Sequence, residues 1–274
     1  MAATEPIDIV ELGVGDAEAG LILSSEAGWN QNEADWRFFL SKGAVFGLRD
    51  GDRLVASAAL LPYSANNAWI SMVLVTPSWR RRGVATRLVD ACLSAATRRN
   101  LTTWLDATPA GAAVYGPLGF TPVLQLRRLR LEKPMQVKTA QPLSIGGVEA
   151  LIARDTSAMG FDRSTLLSEF GSRPGSRIVS DTDSIALVRD GRTARHIGPL
   201  LAERADQALA LVDAITHSEP GPWLIDAVHS QDEFLNGLVA TGWNIERPFQ
   251  RMRFGPAPIS PAQLPFAVAG PEFG

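Results

Sequence analysis

Two stretches of this chain can be laid over one another, and that internal repeat limits its fold more than any other feature. WLDATPAGAAVYGPLGFTPVLQLRRLRL, beginning at Trp104, matches WLIDAVHSQDEFLNGLVATGWNIERPFQRMRF, beginning at Trp223. Trp104 meets Trp223, Gly119-Phe120 meets Gly242-Trp243, and Arg130 meets Arg253. Upstream, ARHIGPLLAE and the helical ADQALALVDAI take the place of AWISMVLVTP and the helix after it. A chain of 274 residues has room for one large domain or two ordinary ones, and the repeat selects two, the second a diverged copy. From Glu132 to Gly147 the text turns to Lys, Pro, Gln, Thr and Gly with little periodicity, as in a linker. The division expected is a first domain over 1–133, a linker over 134–146, the diverged copy over 147–256 and a tail over 257–274. FAVAGPEFG within the tail is apolar enough to dock against a domain.

The first copy reads as a mixed α/β or α+β domain. IDIVEL alternates like a strand, and Asp16 to Lys42 carries the apolar spacing of helices, broken near GWNQN. VFGLRDGDRLVASAALLPYS is a pair of strands about the Asp50-Gly51 turn. Ala68 to Val75 is a third strand, stopped by Pro77, and Thr86 to Arg98 has helical periodicity. LTTWLDA is a short buried strand, AGAAVYGPL a short helix and FTPVLQLRRLRL a last strand. This order makes a mixed sheet covered by helices.

Between the third strand and its helix stands WRRRGVAT, Trp79 to Thr86. With a net charge of −3 the chain is no general nucleic-acid binder, so the arginine run is a local device. A strand that ends in a Gly-containing turn and enters a helix leaves the first helical N–H groups unpaired and aimed beyond the strand, where they bind phosphate. Gly83 and the small Ala85 let a ligand approach the backbone, and the arginines add charge-assisted donors. The loop is neither a Gly-Lys-Ser/Thr phosphate loop nor G-x-G-x-x-G, which removes the common nucleotide-triphosphate and dinucleotide readings.

Taken with its strand, VLVTPSWRRRGVATRLV resembles the coenzyme A signature of the GNAT N-acetyltransferase superfamily, Arg/Gln-x-x-Gly-x-Gly/Ala, here Arg80-x-x-Gly83-x-Ala85. AAVYGPLGF resembles the family's Tyr-x-x-x-Gly-Phe element, with Tyr115 as the tyrosine. The resemblance implies a GNAT fold with a mixed, mainly antiparallel central sheet, followed by a second, diverged GNAT-like domain as in one bacterial group. It implies that the backbone of Arg81, Arg82, Gly83, Val84, Ala85 and Thr86 holds the pyrophosphate of acetyl-coenzyme A, with Arg80 opening the motif. Val73, Leu74 and Val75 would run beside the pantetheine arm. The activity implied is transfer of an acetyl group to an amine of a small molecule or peptide. A phenol with pKa of about 10 can return a proton to a thiol near about 8.5, so Tyr115 would be the acid. For the base, the third strand offers only Ser71 where a carboxylate would serve, leaving Asp106 or Glu26 through water. Without a base, the rival reading is a coenzyme A-binding sensor that has lost catalysis; a longer acyl group is a third.

Other residues have plainer readings. Cys92, the one cysteine, falls in the apolar pattern of its helix and is a small core residue; it excludes an internal disulfide or cysteine-built metal site. His196, His217 and His229 lack metal-ligand spacing, so no metal is expected. Trp29 and Trp36 read as core, although Trp29 and Asn30 stand where the family's substrate-lining helices lie. Asp162 and Arg163, in MGFDRSTLL, read either as an ion pair at a helix start or as residues facing an acceptor cleft. The second copy has LLAERADQA at the place of the phosphate loop and Leu238 at the place of Tyr115, so it should bind no coenzyme A. MAATEPIDIVEL lacks a basic start before an apolar core, and no run reaches the roughly 18 apolar residues of a membrane span. A cytoplasmic monomer or homodimer, with no nucleic-acid or membrane partner, is the expectation.

Overall fold

The computed structural model describes residues 8–133, 143–256 and 263–274. The chain forms two compact units, one of Met1–Pro62 with Asn66–Leu105, the other of Tyr63–Ala65 with Asp106–Gly274. The first unit contains strand β1 (Ile9–Leu12), helices α1 (Ala17–Glu26) and α2 (Glu33–Lys42), strands β2 (Ala44–Asp50), β3 (Arg53–Pro62) and β4 (Asn67–Val75), and helix α3 (Val84–Arg98). It ends in strand β5 (Thr102–Ala107), whose last two residues belong to the second unit. Strands β1 to β4 are antiparallel neighbours, and β5 lies parallel to β4.

Local chemistry accounts for these elements. The break at GWNQN is a helix start: Asp35 N donates to Asn32 Oδ1 and Asn32 N to Asp35 Oδ2, both at 3.0 Å, closing a reciprocal cap on α2. Helix α1 crosses α2 closely because Gly20 carries no side chain, an added Cβ falling 2.4 Å from the Trp36 ring. Trp36 is wholly buried and its Nε1 donates to Ser24 Oγ at 3.0 Å, which satisfies its one polar group. The Asp50-Gly51 turn takes Gly51 to φ +57°, as a tight hairpin demands. Leu88, Val89, Cys92 and Ala96 form the buried stripe of α3, and each leucine-sized side chain so removed from water contributes about 1.5–3 kcal/mol.

The second unit contains helix α4 (Pro109–Tyr115), strands β6 (Thr121–Leu131) and β7 (Ser144–Ile145), helices α5 (Val148–Met159) and α6 (Ser164–Ser172), and strands β8 (Arg177–Ser180), β9 (Ser184–Arg189) and β10 (Arg195–Ala202). Helix α7 (Ala205–Ser218), strand β11 (Trp223–Val228), helix α8 (Asp232–Ala240) and strand β12 (Asn244–Phe254) follow. From β7 to β12 the element order is the order from β1 to β6 over again. The likeness reaches irregular detail: β4 bulges against β3 between Ser57 and Ala59, and β10 bulges against β9 between Ile197 and Leu200. Gly119 and Gly242, matched in the sequence, both take φ +97°.

The sheet of the second unit runs β12-β6-β11-β10-β9-β8-β7, so β6 of the first copy sits between two strands of the second. The offset that matches Arg130 with Arg253 also matches Leu126 with Phe249, and these two face each other across the β6–β12 ladder. Equivalent residues directly opposed amount to a local two-fold relation between the strands. A repeat boundary near 133 therefore differs from the boundary of packing, which falls before Asp106. Of the expected linker, 134–142 lie outside the described residues, and Ser144–Ile145 pairs with Ser180 and Val179 of β8. Of the tail, 257–262 lie outside the described residues; Phe266, Val268 and Phe273 are buried.

Candidate active site

The arginine turn lies in the first unit and is built as a strand-to-helix handover. Pro77 to Trp79 make one turn of 3-10 helix, and Arg80 Nε donates back to Val75 O at 3.0 Å, folding the chain off the end of β4. Arg82 stacks its guanidinium over the Trp79 ring at 4.9 Å. Arg81 and Gly83 both take left-handed backbone, φ +60° and +74°, which swings the chain into α3. Gly83 is the N-cap of α3 without any side-chain cap, and Arg87 N to Gly83 O at 3.1 Å is the first helical bond. The N–H groups of Val84, Ala85 and Thr86 thus precede the ladder and carry the positive end of the helix dipole. Arg80 to Gly83 are exposed, and a Cβ on Gly83 would have no atom within 4 Å. An open, cation-rimmed cradle of this kind fits a pyrophosphate.

Strand β4 leads into that cradle. It pairs with β5 from Asn67–Thr102 to Trp69–Trp104, and its bulge follows at Met72, held at φ +52° by Ser57 Oγ donating to Met72 O at 2.8 Å. Val73, Leu74 and Val75 follow the bulge, Leu74 buried and its neighbours half-buried. Nearby polar atoms stay unsatisfied among the described residues: Ser71 Oγ on β4 and Thr103 Oγ1 on β5 are buried without a hydrogen-bond partner. Trp29 and Asn30 sit in the α1–α2 connection, where Trp29 N donates to Ser24 O at 3.0 Å; Asn30 is buried and Trp29 half-buried. Glu26 is held by Thr76 Oγ1, at 2.9 and 2.7 Å to its two oxygens, with Arg53 at 3.5 Å.

Tyr115 lies in the second unit, at the end of α4. The residue is 9% exposed, and its ring packs at 6.1 Å from that of Phe120, whose N–H donates to Tyr115 O at 3.3 Å. Its counterpart Leu238 is wholly buried and accepts the same bond from Trp243 N at 3.1 Å. The counterpart of the arginine turn closes on itself: Arg204 N donates to Gln207 Oε1 at 2.9 Å and its guanidinium pairs with Asp206. That helix start ties up the Arg204 N–H within the turn and presents no glycine cradle.

Two expectations change here. Asp162 and Arg163 do not pair with each other. Asp162 N donates to Ser64 Oγ at 2.6 Å, whereas Arg163 is buried and bidentate on Asp155 at 2.7 and 2.8 Å. The remaining Arg163 Nη1 donates to Phe273 O at 3.0 Å and to Gly274 O, so its donors serve the chain's own tail and not an acceptor. Asp106, weighed as a base, is gripped by Arg251 through Nε and Nη2 at 2.8 and 2.7 Å. Burial raises its carboxyl above the ordinary range, against the pull of Arg251. The matching aspartate of β11, Asp226, is gripped by Arg128 at 2.8 Å twice and also bonded to His196 Nε2 at 2.9 Å. Burial would raise Asp226 too, but Arg128 and His196 together hold it below the carboxylate range. Sequence reasoning missed both pairs. Their signal was the Asp-Ala of each strand, set against the Arg two places before Arg130 and Arg253. Burial pushes the Cys92 thiol up, in keeping with a core residue, and among the described residues no cluster of side chains could hold a metal.

Comparison with known proteins agrees with this architecture. Residues 20–120 match the model of the acetyltransferase (GNAT) family, and residues 151–266 match a model of an acetyltransferase (GNAT) domain. YitH of Bacillus subtilis, an uncharacterized N-acetyltransferase, is 24% identical over 248 residues, 86% of this chain and 88% of that protein. A holothin acyltransferase of Pseudoalteromonas is 25% identical over 276 residues, 96% of this chain and 87% of that protein. In fold, a Pyrococcus horikoshii crystal structure assigned to the acetyltransferases matches with a TM-score of 0.83 at 18% identity, over 99% of this chain and 97% of that one.

Proposed function

The chain belongs to the GNAT acetyltransferase family as two successive GNAT domains, and from that premise we propose that the first moves an acetyl group from acetyl-coenzyme A to an amine of a small molecule or peptide. The observation that carries this is the path of β4: a bulge at Met72, a run past Val75, then Gly83 in left-handed backbone with open space before α3. Acetyl-coenzyme A supplies a thioester carbonyl for the amine to attack and a thiol that departs. The N–H groups of Arg81 to Thr86 bind its pyrophosphate, with Arg80 shaping the turn. Val73, Leu74 and Val75 lie along the pantetheine arm, and the N–H of Val75 is the donor assigned to the carbonyl oxygen. Tyr115 returns the proton to the departing sulfur. Trp29 and Asn30 are assigned to the acceptor side, with Asp162 but not Arg163.

One observation favours the rival, a coenzyme A-binding sensor without turnover: both oxygens of Asp106 are committed to Arg251, and Glu26 to Thr76 and Arg53. A turnover assay over a panel of amines, read by free thiol release, decides between them. Thiol release that depends on the amine supports transfer; tight acetyl-coenzyme A binding with no release for any amine supports the sensor.

A further inference from the structure

In the second copy, β10 and β11 run parallel from Arg195–Trp223 to Ile197–Ile225, and beyond that point the tail stands between them. Phe266 N donates to Leu200 O at 2.9 Å and Leu200 N to Ala267 O at 3.0 Å, on the β10 side. On the β11 side, Val228 N donates to Phe266 O and Val268 N to Asp226 O, both at 3.0 Å. One extended segment thus satisfies the backbone of two diverging strands, which would otherwise leave buried N–H and C=O groups unpaired. The bulge of β10 makes the room: a Cβ on Gly198 would fall 2.0 Å from Val268 O, so only glycine admits the tail there. The tail is anchored further along its length. Arg189 Nη2 donates to Ala269 O at 3.0 Å and Tyr63 Oη to Phe273 O at 2.8 Å, while Phe266 meets Phe234 and Phe273 meets Phe170 edge to face. Where the tail enters, a cavity of about 110 Å³ is lined by Arg154, Ser157, Leu201, Gln263 and Pro265.

The bulge in β10 is the counterpart of the bulge in β4, and the divergence of β10 from β11 is the counterpart of the divergence of β4 from β5. On the reading given above, that place in the first copy takes the pantetheine arm. We propose that residues 263–274 are the resident occupant of the same slot in the second copy, a polypeptide standing where a second acyl-pantetheine would lie. The chemistry is matched, since a pantetheine arm and a peptide are both extended chains bearing amide N–H and C=O groups. It also explains why the turn after β10 has lost its glycine: with the slot filled from within, no pyrophosphate needs a cradle there.

The test uses the full chain and S-acetyl-pantetheine, which has no nucleotide and so does not need the phosphate turn. Residue-resolved hydrogen exchange on the unaltered chain comes first. The amides of Leu200, Val228 and Val268 should exchange at one common rate, because one opening, release of the tail, frees all of them. Unrelated rates, or protection of β10 that changes on adding the probe, overturn the proposal. Val268→Pro, which removes one tail donor, and Gly198→Ala, which meets the Val268 carbonyl, should then speed Leu200 and Val228 exchange by about tenfold or more while β9 stays protected. In either variant the probe should restore that protection. Freed strands that ignore the probe overturn the proposal. Probe effects at Val73 to Val75 are followed in the same samples, so failure of the first-copy assignment is seen separately.

Discussion

Arg128 of β6 grips Asp226 of β11 through two parallel bonds of 2.8 Å, Nε to Oδ1 and Nη2 to Oδ2, with both side chains buried. Arg251 of β12 grips Asp106 in the same way. Arg128 and Arg251 are equivalent in the repeat, as are Asp106 and Asp226, so each copy's last strand carries the arginine that neutralises the other copy's aspartate. Hydrogen bonding along β6 alone would tolerate a slip in register. These pairs do not, because a slip would leave two buried charges uncompensated.

Arg128→Ala should therefore destabilise the protein by about 3–5 kcal/mol, the cost of stranding a buried charge, and Arg251→Ala by a similar amount. Replacing Arg128 and Asp226 together by Leu should cost much less than either single change. Denaturant unfolding of the single and double variants checks this; equal losses in all of them would mean that the charges contribute nothing beyond volume.

His196 predicts a pH dependence. It is buried, and desolvation holds its pKa below the usual value against the pull of Asp226, while Arg189 and Arg128 add to the lowering. Its Nε2 faces Asp226 and its Nδ1 has no partner among the described residues, as a neutral ring donating from Nε2 would have it. The unfolded chain takes up this proton near pH of about 6.5 and the folded chain does not, so stability falls as pH drops below that value. A second loss follows near about 4, where the unfolded counterpart of Asp226 is protonated and the folded carboxylate resists. In His196→Gln the first step should vanish and the second remain. Unfolding free energy measured from pH 8 to about 3 in both proteins gives the comparison, and identical curves would clear His196 of any part.

Much of this was readable in the sequence, for a physical reason. Helix caps, turns and strand alternation are local, and so the element order, the Asp50-Gly51 hairpin and the Gly83 helix entry could be read from neighbouring residues. The repeat extended that reading to the second copy, with Gly242 and Leu238 placed against Gly119 and Tyr115. What could not be read was long-range. Nothing near Arg128 says that β6 lies beside β11, and nothing near Arg163 says that it also serves the tail, 110 residues on. Asp106 looked available as a base because its partner, Arg251, is 145 residues away.

Gly83 can be tested directly. At φ +74° any other residue pays roughly 1–2 kcal/mol in backbone strain, yet open space surrounds the Cβ position, so the fold should survive substitution. Gly83→Ala serves as the control for that strain. Gly83→Glu adds bulk and negative charge at the cradle and should abolish acetyl-coenzyme A binding by calorimetry, with unfolding close to that of Gly83→Ala. Unchanged affinity in Gly83→Glu would remove the arginine turn from the donor site.

Tyr115→Phe isolates one proton. The ring packs against Phe120 at 6.1 Å, and Gly111 is close enough that a Cβ there would lie 3.0 Å from the tyrosine ring, so the site is shaped to an aromatic plane. Phenylalanine keeps that plane and its burial, and deletes only the hydroxyl. If Tyr115 is the acid, turnover should fall by roughly 10²–10⁴-fold while acetyl-coenzyme A affinity stays the same, because the thiol must then leave without a placed donor. A loss of turnover accompanied by weaker donor binding would mark a packing defect. Equal turnover in mutant and wild type would take Tyr115 out of the chemistry, as its counterpart Leu238 already is.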